Sequence, residues 1–169
     1  MQKKSWRADD SLKEKIKLYS PMVYHLAYSL VKNRADADDI HQEVFIKYIS
    51  KSPCFESAEH EKAWLIKVTT NQCKNWWKAA WRQKIVSLSE YEEEGRELAA
   101  PQDMHGEEAG LIDKVKSLSW KYRVVIHLYY YEELSVEEIA KSLELKASTV
   151  RTHLTRARRK LSELLKEEV

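Results

Sequence analysis

LSVEEIAKSLELKASTVRTHLTRARRKLSELL, residues 134–165, contains two helical patterns separated by a short turn. In the first pattern, Ser135 and Glu138 have the spacing of a capping box, which satisfies unpaired backbone N–H groups where a helix begins. In the second, apolar residues recur in alternating steps of four and three: Val150, Leu154, Ala157, Leu161 and Leu164. Residues 144–146 form the turn between the two patterns. Two helices joined in this way constitute a helix-turn-helix.

The outer face of the second helix carries hydroxyl side chains and arginines. At 100° per residue, Ser148, Thr152 and Thr155 lie opposite the apolar stripe. A helix of this kind fits the major groove of DNA, where arginine can bridge guanine O6 and N7. The candidate duplex-contacting residues are Ser148, Thr149, Arg151, Thr152, Thr155, Arg156 and Arg159. A charged face that only keeps a surface helix soluble is the alternative, but it leaves the capped first helix and the turn unexplained.

Charge is arranged in blocks along the chain, although the formal net charge is only +2. Residues 62–85 carry six basic residues and no acidic one, residues 86–110 carry eight acidic residues and one arginine, and residues 146–166 carry seven basic residues and one acidic one. All three glycines and Pro101 fall in the acidic block, which lacks helical periodicity. We therefore predict an all-α protein with two small helical domains, residues 1–85 and 107–169, joined by a flexible acidic linker at 86–106.

The N-terminal domain is predicted to contain three helices. The first, over 11–32, is expected to break or kink near Pro21. The second begins in DADDIHQEVFIKYI, residues 36–49, with Asp36 as the expected cap and Ile49 among the expected core residues. The third is a long helix over about 60–84. Two further helices, over 107–117 and 120–131, are expected to precede the helix-turn-helix.

The long third helix carries a basic stripe, formed by Lys67, Asn71, Lys74, Lys78 and Arg82 within about 80° of each other. Three tryptophans, Trp76, Trp77 and Trp81, lie in the same segment. A basic stripe combined with aromatic faces is typical of proteins that bind single-stranded nucleic acid, where each stacked base is worth about 1–3 kcal/mol. The alternative is that the tryptophans fill the core of a small domain.

No enzyme chemistry is expected from this sequence. Cys54 and Cys73 form no CxxC pair and the histidines lack metal-ligand spacing, so we expect reduced thiols, no metal and no cofactor. A nuclease would need clustered carboxylates or histidines at a metal site, whereas the acidic residues concentrate in the linker and at one helix start. No apolar run approaches the roughly 20 residues of a membrane helix, and a secretion signal is missing. We expect a cytoplasmic protein without membrane insertion.

Three stretches, in order, resemble bacterial sigma factors of the sigma-70 family, in particular the small extracytoplasmic-function group. Residues 36–49 resemble the helix that docks on the polymerase clamp. AWLIKVTTNQCKNWW, residues 63–77, resembles the helix that recognises and melts the minus-ten element, and residues 134–161 resemble the helix-turn-helix that reads the minus-thirty-five element. The resemblance covers about residues 11–84 and 107–166. It implies a transcription initiation factor that binds core RNA polymerase and promoter DNA, with an anti-sigma protein as a further candidate partner.

The resemblance also implies roles for individual residues. The polymerase-docking candidates are Asp39, Gln42, Glu43 and Ile46, which repeat on a second face of their helix. The minus-ten candidates are Phe55, Lys67, Asn71, Lys74, Asn75, Trp76 and Lys78. The family places a flipped base in a pocket that here implies the loop at 55–61 together with Asn71, but Glu61 stands where an aromatic residue is frequent. Trp64 and Trp77 are assigned mainly to packing, while Trp76 and Trp81 remain candidates for DNA contact.

The turn of the helix-turn-helix departs from the family pattern. Glycine is frequent in this turn and serine at the recognition-helix cap, whereas this chain has Glu144 and Lys146. We expect a less favourable turn and a cap that shifts or is lost. A stand-alone helix-turn-helix regulator is the alternative function, and an adaptor that binds polymerase without reading promoters is another. The first would need neither the docking face nor the basic stripe, and the intact recognition helix argues against the second.

Overall fold

The computed structural model describes residues 3–51, 53–88 and 107–167, and all regular structure in these ranges is helical. The N-terminal unit consists of α1 (Lys3–Val31), α2 (Arg34–Lys51) and α3 (Ala58–Leu88). The C-terminal unit consists of α4 (Glu107–Ser117), α5 (Trp120–Ile126), a π-helical turn (His127–Tyr131), α6 (Val136–Leu143) and α7 (Ala147–Lys166). The predicted all-α class is confirmed. Residues 89–106, which include most of the predicted linker, lie outside the described residues.

α1 continues through Pro21, so of the two outcomes expected there, a break or a kink, the break is wrong. A proline inside a helix removes one backbone hydrogen bond and costs about 3 kcal/mol. The residues that follow are completely buried: Val23, Leu26, Ala27 and Leu30 each have 0% exposure. This part of the chain packs against α2 and α3. Tertiary burial therefore outweighs the local cost of the proline.

α2 begins at a different cap from the predicted one. Asn33 Oδ1 accepts a hydrogen bond from the backbone N–H of Asp36 at 2.8 Å, and the Asp36 carboxylate accepts one from Asn33 Nδ2. Asn33 is therefore the cap, and Asp36 is its partner in the first turn. Ile49, predicted to face inward, is 47% exposed. At 100° per residue it lies well away from the inward stripe that starts with Ile40 and Val44.

A buried carboxylate joins the three N-terminal helices. Ser57 Oγ accepts from the backbone N–H of His60 at 3.1 Å and so caps α3. One residue further, Glu61 is charged but only 4% exposed. Its carboxylate accepts from the Tyr48 hydroxyl at 2.8 Å and pairs with Lys15 Nζ at 3.3 Å. Glu61 on α3 thus contacts both α2 and α1.

α6 and α7 form the predicted helix-turn-helix. Both hydrogen bonds of the capping box are made, from the Glu138 N–H to Ser135 Oγ at 3.1 Å and from the Ser135 N–H to the Glu138 carboxylate at 2.7 Å. Glu144 ends α6 in the left-handed region, with φ 55° and ψ 42°. Lys146 occupies the N-cap position of α7 without a side-chain hydrogen bond. The cap is therefore lost, as the sequence suggested.

The single helix predicted over 120–131 is divided into α5 and the π-helical turn. In this turn the His127 ring stacks on the Tyr131 ring with 4.9 Å between centroids. The Tyr131 ring also lies 5.4 Å from the ring of His25 on α1. The wider turn is an irregularity of the kind that often marks a functional position in a helix, and here it lies where the two units meet.

The two units pack together through α1 with α5 and through α3 with α6. Arg123 of α5 is 2% exposed. Its guanidinium donates to the Leu30 carbonyl at 3.2 Å and to the Lys116 carbonyl at 2.8 Å. The Leu30 carbonyl also accepts from Trp77 Nε1 at 2.8 Å. One side chain from each unit therefore binds the carbonyl end of α1, where unpaired C=O groups and the helix dipole favour donors.

Candidate nucleic-acid interface

α7 presents the predicted duplex-contacting face to solvent. Its inner stripe is buried, with Val150 and Ala157 at 0% and Leu154 at 2% exposure. Thr149 is half-buried, whereas the other candidates are exposed: Ser148, Arg151, Thr152, Thr155, Arg156 and Arg159. The structure thus places the whole predicted set on one helix, with Thr149 at the edge of the exposed face.

Two arginines of α7 have different environments. Arg151 Nη2 lies 3.1 Å from the Glu137 carboxylate on α6, and both side chains are largely exposed. An exposed ion pair of this kind adds little stability. The Arg151 side chain is therefore able to leave Glu137 and contact a DNA group instead. Arg158 Nε instead donates to the Tyr130 hydroxyl at 2.6 Å, and its guanidinium lies over the Tyr129 ring at 5.3 Å. Arg158 therefore serves the packing of its own unit.

His153 is a residue of α7 that the sequence analysis missed. Its ring is half-buried and meets the Tyr122 ring edge-on at 5.8 Å. Burial lowers the pKa of His153, and the nearby charges of Lys121 and Arg156 lower it further. Lys121 and Arg156 thus place positive charge beside the His153 ring, and positive charge in this position favours a polyanion. Its position beside the inner stripe, three residues after Val150, is the signal that could have indicated partial burial.

The basic stripe of α3 is accessible along most of its length. Lys67 is half-buried, while the remaining polar candidates are exposed: Asn71, Lys74, Asn75 and Lys78. Trp76 is half-buried, packs against the core and meets the Trp77 ring edge-on at 5.1 Å. Trp77 donates its indole N–H to α1, in agreement with a packing role. The side chain of Trp81 lies outside the described residues.

Phe55 lies in an aromatic cluster at the start of α3. Its ring is 6.3 Å from Tyr48, 5.7 Å from Trp64 and 5.4 Å from His60. Burial raises the pKa of the Tyr48 hydroxyl, and its hydrogen bond to Glu61 raises it further. Asn71 is about two helical turns beyond Trp64 on α3, and Phe55 lies near the beginning of the stripe.

The predicted docking face of α2 is exposed to solvent. All four candidates, Asp39, Gln42, Glu43 and Ile46, are exposed, and Ile46 has 62% exposure. With its amide oriented to satisfy both neighbours, Gln72 of α3 donates to the Glu43 carboxylate at 3.0 Å and accepts from Lys47. The acidic face with an exposed isoleucine suits a basic protein partner.

Neither a metal centre nor a membrane span is found in the described part of the chain. Residues 3–51, 53–88 and 107–167 contain no group of three or more His, Cys, Asp or Glu side chains that could hold a metal ion. No helix in the same ranges has the length and apolar character needed to cross a bilayer. The potential ligands present in this part of the chain therefore do not converge as a metal site requires.

Comparison with known proteins identifies both units. The family model for Sigma-70 region 2 matches residues 16–83, and that for Sigma-70, region 4 matches residues 110–161. The RNA polymerase sigma factor SigV of Bacillus subtilis is 31% identical over 134 residues, which cover 79% of this chain and 78% of SigV. The chain belongs to the sigma-70 family. Region 2 corresponds to α1–α3 and region 4 to α4–α7.

Within that family, this sigma factor falls in the extracytoplasmic-function group. The ECF RNA polymerase sigma factor SigE of Mycolicibacterium smegmatis is 31% identical over 156 residues, covering 90% of this chain. The chain spans 60% of the length of that relative. The sigma factor RpoE of Bartonella quintana, solved in complex with the anti-sigma factor NepR, shares the fold with a TM-score of 0.74 at 24% identity, over 92% of this chain and 97% of RpoE. A stand-alone regulator is not favoured, because region 2 accompanies the helix-turn-helix.

Proposed function

We propose that this sigma factor binds core RNA polymerase and directs it to a set of promoters, which it helps to open. The observation that carries this proposal is the presence of region 2 and region 4 in one chain, matched over 16–83 and 110–161. The exposed faces of α2, α3 and α7 supply the three contacts that the function needs. All three proposed contacts are binding contacts, so the proposal includes no covalent step.

Duplex DNA is assigned to α7. Arg151, Thr152, Thr155 and Arg156 lie in its first three turns, where a recognition helix meets base edges. The hydroxyl side chains are short enough to allow close approach to the groove, and arginine can read guanine through two hydrogen bonds. Arg159 lies further along the exposed face, where a phosphate contact is the expected role.

The unpaired promoter strand is assigned to α3. Lys67, Lys74 and Lys78 provide charge along the path of the backbone, while Asn71 and Asn75 offer amide groups to bases. Phe55 would face a base extruded near the start of the helix. Extruding a base costs a few kcal/mol, which a shaped pocket and stacking can offset.

Core polymerase is assigned to α2, through Asp39, Gln42, Glu43 and Ile46. The acidic groups would attract a basic partner, and Ile46 would supply the apolar contact that becomes buried. An anti-sigma protein is a second inferred partner, since RpoE of Bartonella quintana is solved with one. Such a protein would control the factor by competing for these surfaces.

Reconstitution with bacterial core polymerase on fragmented genomic DNA tests the proposal. We expect a stable polymerase complex and a set of transcript starts that are absent with core enzyme alone. A shared sequence upstream of these starts would define the promoter elements. If no complex forms and no new starts appear, the assignment as an initiation factor is wrong.

A further inference from the structure

Glu144 occupies a backbone conformation that glutamate rarely adopts. It ends α6 with φ 55° and ψ 42°, a left-handed conformation in which glycine is favoured because it has no Cβ. Residues held in such conformations cluster at functional contacts, and the observed outlier is a reason to examine what the side chain does. In this chain the side chain of Glu144 reaches out of its own unit.

The Glu144 carboxylate pairs with Lys67 Nζ across the junction between region 4 and region 2. Lys67 is the first residue of the basic stripe on α3. A cleft of about 300 Å³ continues from this contact, with Asn71 and Lys74 on the α3 side and Ser142 and His153 on the region 4 side. The turn of the helix-turn-helix therefore lies over the beginning of the stripe.

The junction is also held by a buried contact away from the stripe. Arg123 of region 4 donates to the carbonyl end of α1 in region 2 and is 2% exposed. If region 4 separated from α1, the guanidinium would lose its charge-assisted hydrogen bond to the Leu30 carbonyl. The Arg123 contact therefore attaches region 4 to region 2. The Glu144–Lys67 pair, with side chains 66% and 43% exposed, determines where the turn of region 4 lies over α3.

We propose that the Glu144–Lys67 contact is an internal clasp that holds region 4 over the single-strand-binding face of region 2. A carboxylate and a DNA phosphate are both oxyanions that accept from the Lys67 ammonium. The Glu144 carboxylate and the promoter strand therefore compete for the same lysine. This inference rests on the proposed function, because it takes single-stranded DNA as the ligand of α3.

The expected effect of the clasp is modest. An exposed ion pair shifts an equilibrium by about two- to fivefold. In the closed form Glu144 contacts Lys67, and in the open form this contact is absent. When the closed form predominates, the apparent affinity for a ligand that binds only the open form rises in proportion to the open fraction. Loss of the Glu144 charge should thus tighten binding of single-stranded DNA by about the same factor. Removal of any acidic group also strengthens the general electrostatic attraction of DNA, so a control with the same change in charge is needed.

Glu133 provides the matched control for both backbone and charge. It is an exposed glutamate of region 4 with a positive φ of 54°, and no hydrogen bond or ion pair of its side chain is found among the described residues. Glu144→Gln and Glu133→Gln remove the same charge. Glu144→Gly and Glu133→Gly both relieve a left-handed backbone, so any general gain in stability is common to the pair.

Two measurements on the full chain test the clasp. Dyes at Ser50→Cys and Glu163→Cys, in a Cys54→Ser background, report the separation of region 2 and region 4 by energy transfer. Anisotropy of a labelled 12-nucleotide single strand reports its affinity. We expect Glu144→Gln and Glu144→Gly to lower energy transfer and to tighten binding of the strand about two- to fivefold more than the Glu133 variants do. Equal effects at the two positions would overturn the proposal.

A charge exchange separates the clasp from the DNA contact. Lys67→Glu alone should shift region 4 away from the start of α3 and lower energy transfer, and adding Glu144→Lys should restore energy transfer. Affinity for the strand should stay low in both proteins, because Lys67 itself is missing. Failure of the second substitution to restore energy transfer would contradict a direct pair. Binding of core polymerase is measured on the same proteins. If they bind polymerase but the energy transfer does not respond, the clasp alone is wrong, whereas absence of polymerase binding would count against the proposed function.

Discussion

Three polar side chains, the buried Glu61 and Arg123 and the half-buried Trp77, connect helices that are distant in sequence. Each donates to or accepts from a neighbouring helix at hydrogen-bond distance. A buried polar group of this kind contributes modestly when paired, but its partner is costly to leave unpaired. These residues therefore determine how the helices meet, while the apolar core supplies most of the driving force.

Glu61→Ala should destabilise region 2 by about 1–3 kcal/mol, because it leaves the Tyr48 hydroxyl buried without its acceptor. Urea unfolding followed by circular dichroism measures the change. Tyr48→Phe should lower the free energy of unfolding by less in the Glu61→Ala background than in the unsubstituted protein, because the two side chains interact. Additive effects of the two substitutions would show that the hydrogen bond makes no contribution.

The two cysteines should differ sharply in reactivity. Cys54 is exposed, whereas Cys73 has 0% exposure, and burial raises the pKa of its thiol to about 12. Because the thiolate is the nucleophile, Cys73 should stay unmodified at pH 8 while Cys54 reacts with a thiol reagent within minutes. Cys54→Ser should abolish labelling of the folded protein and retain one reactive thiol after unfolding. Rapid labelling of folded Cys54→Ser protein would contradict the burial of Cys73.

At the level of single elements, α7 shows how periodicity predicts both structure and exposure. Its buried stripe and its exposed polar face follow directly from the spacing of Val150, Leu154 and Ala157. The pattern does not distinguish arginines that are free to meet DNA from arginines engaged within the domain. That distinction depends on Tyr129 and Tyr130, which belong to another segment and pack beside Arg158.

Arg156→Ala should reduce discrimination at one position of the minus-thirty-five element by roughly 1–3 kcal/mol. Binding of the polymerase complex to a panel of single-base promoter variants measures it. Arg158→Ala is the matched control, because it removes the same charge from the same helix but should lower the stability of region 4 without changing base preference. A uniform loss across all promoter variants would assign Arg156 to a phosphate contact.

At the scale of the whole molecule, the proposed docking face, the proposed single-strand stripe and the proposed duplex-reading face lie on three helices of two packed units. Packing through α1 with α5 and α3 with α6 makes the accessibility of one face depend on the position of the other unit. The docking face of α2 lies on neither of these contacts. The proposed polymerase contact at α2 can therefore form while region 4 covers the start of the stripe.

Asp39→Lys together with Ile46→Ala should weaken binding to core polymerase by about tenfold or more, since a repulsive charge and a lost apolar contact act at the same surface. Titration of labelled sigma factor with core enzyme measures the affinity. Asp38→Lys, which carries the same charge reversal one residue away on α2, serves as the control. Unchanged affinity in the double variant would exclude this face from docking.

Local sequence patterns predicted the helical class, the helix-turn-helix and the exposed faces of α2 and α7. Capping boxes, periodic apolar residues and short turns act over a few residues, so the sequence displays them directly. The same locality explains the errors at Pro21, at Asp36 and at Ile49. At Pro21, burial of the neighbouring residues outweighed the local cost. At Asp36, Asn33 provides the cap instead. Ile49 lies away from the inward stripe of α2 and is exposed.

The sequence by itself thus determined which segments are helices and which of their faces carry basic and hydroxyl side chains. Only the tertiary structure decided that Glu61 is buried, that Arg123 binds the end of α1, and that Glu144 meets Lys67, 77 residues away in the chain. Contacts at such separation depend on how the helices pack, and no periodicity along the chain records them. The charge pattern indicated that α3 can bind a polyanion, but packing placed a carboxylate of the same chain against it.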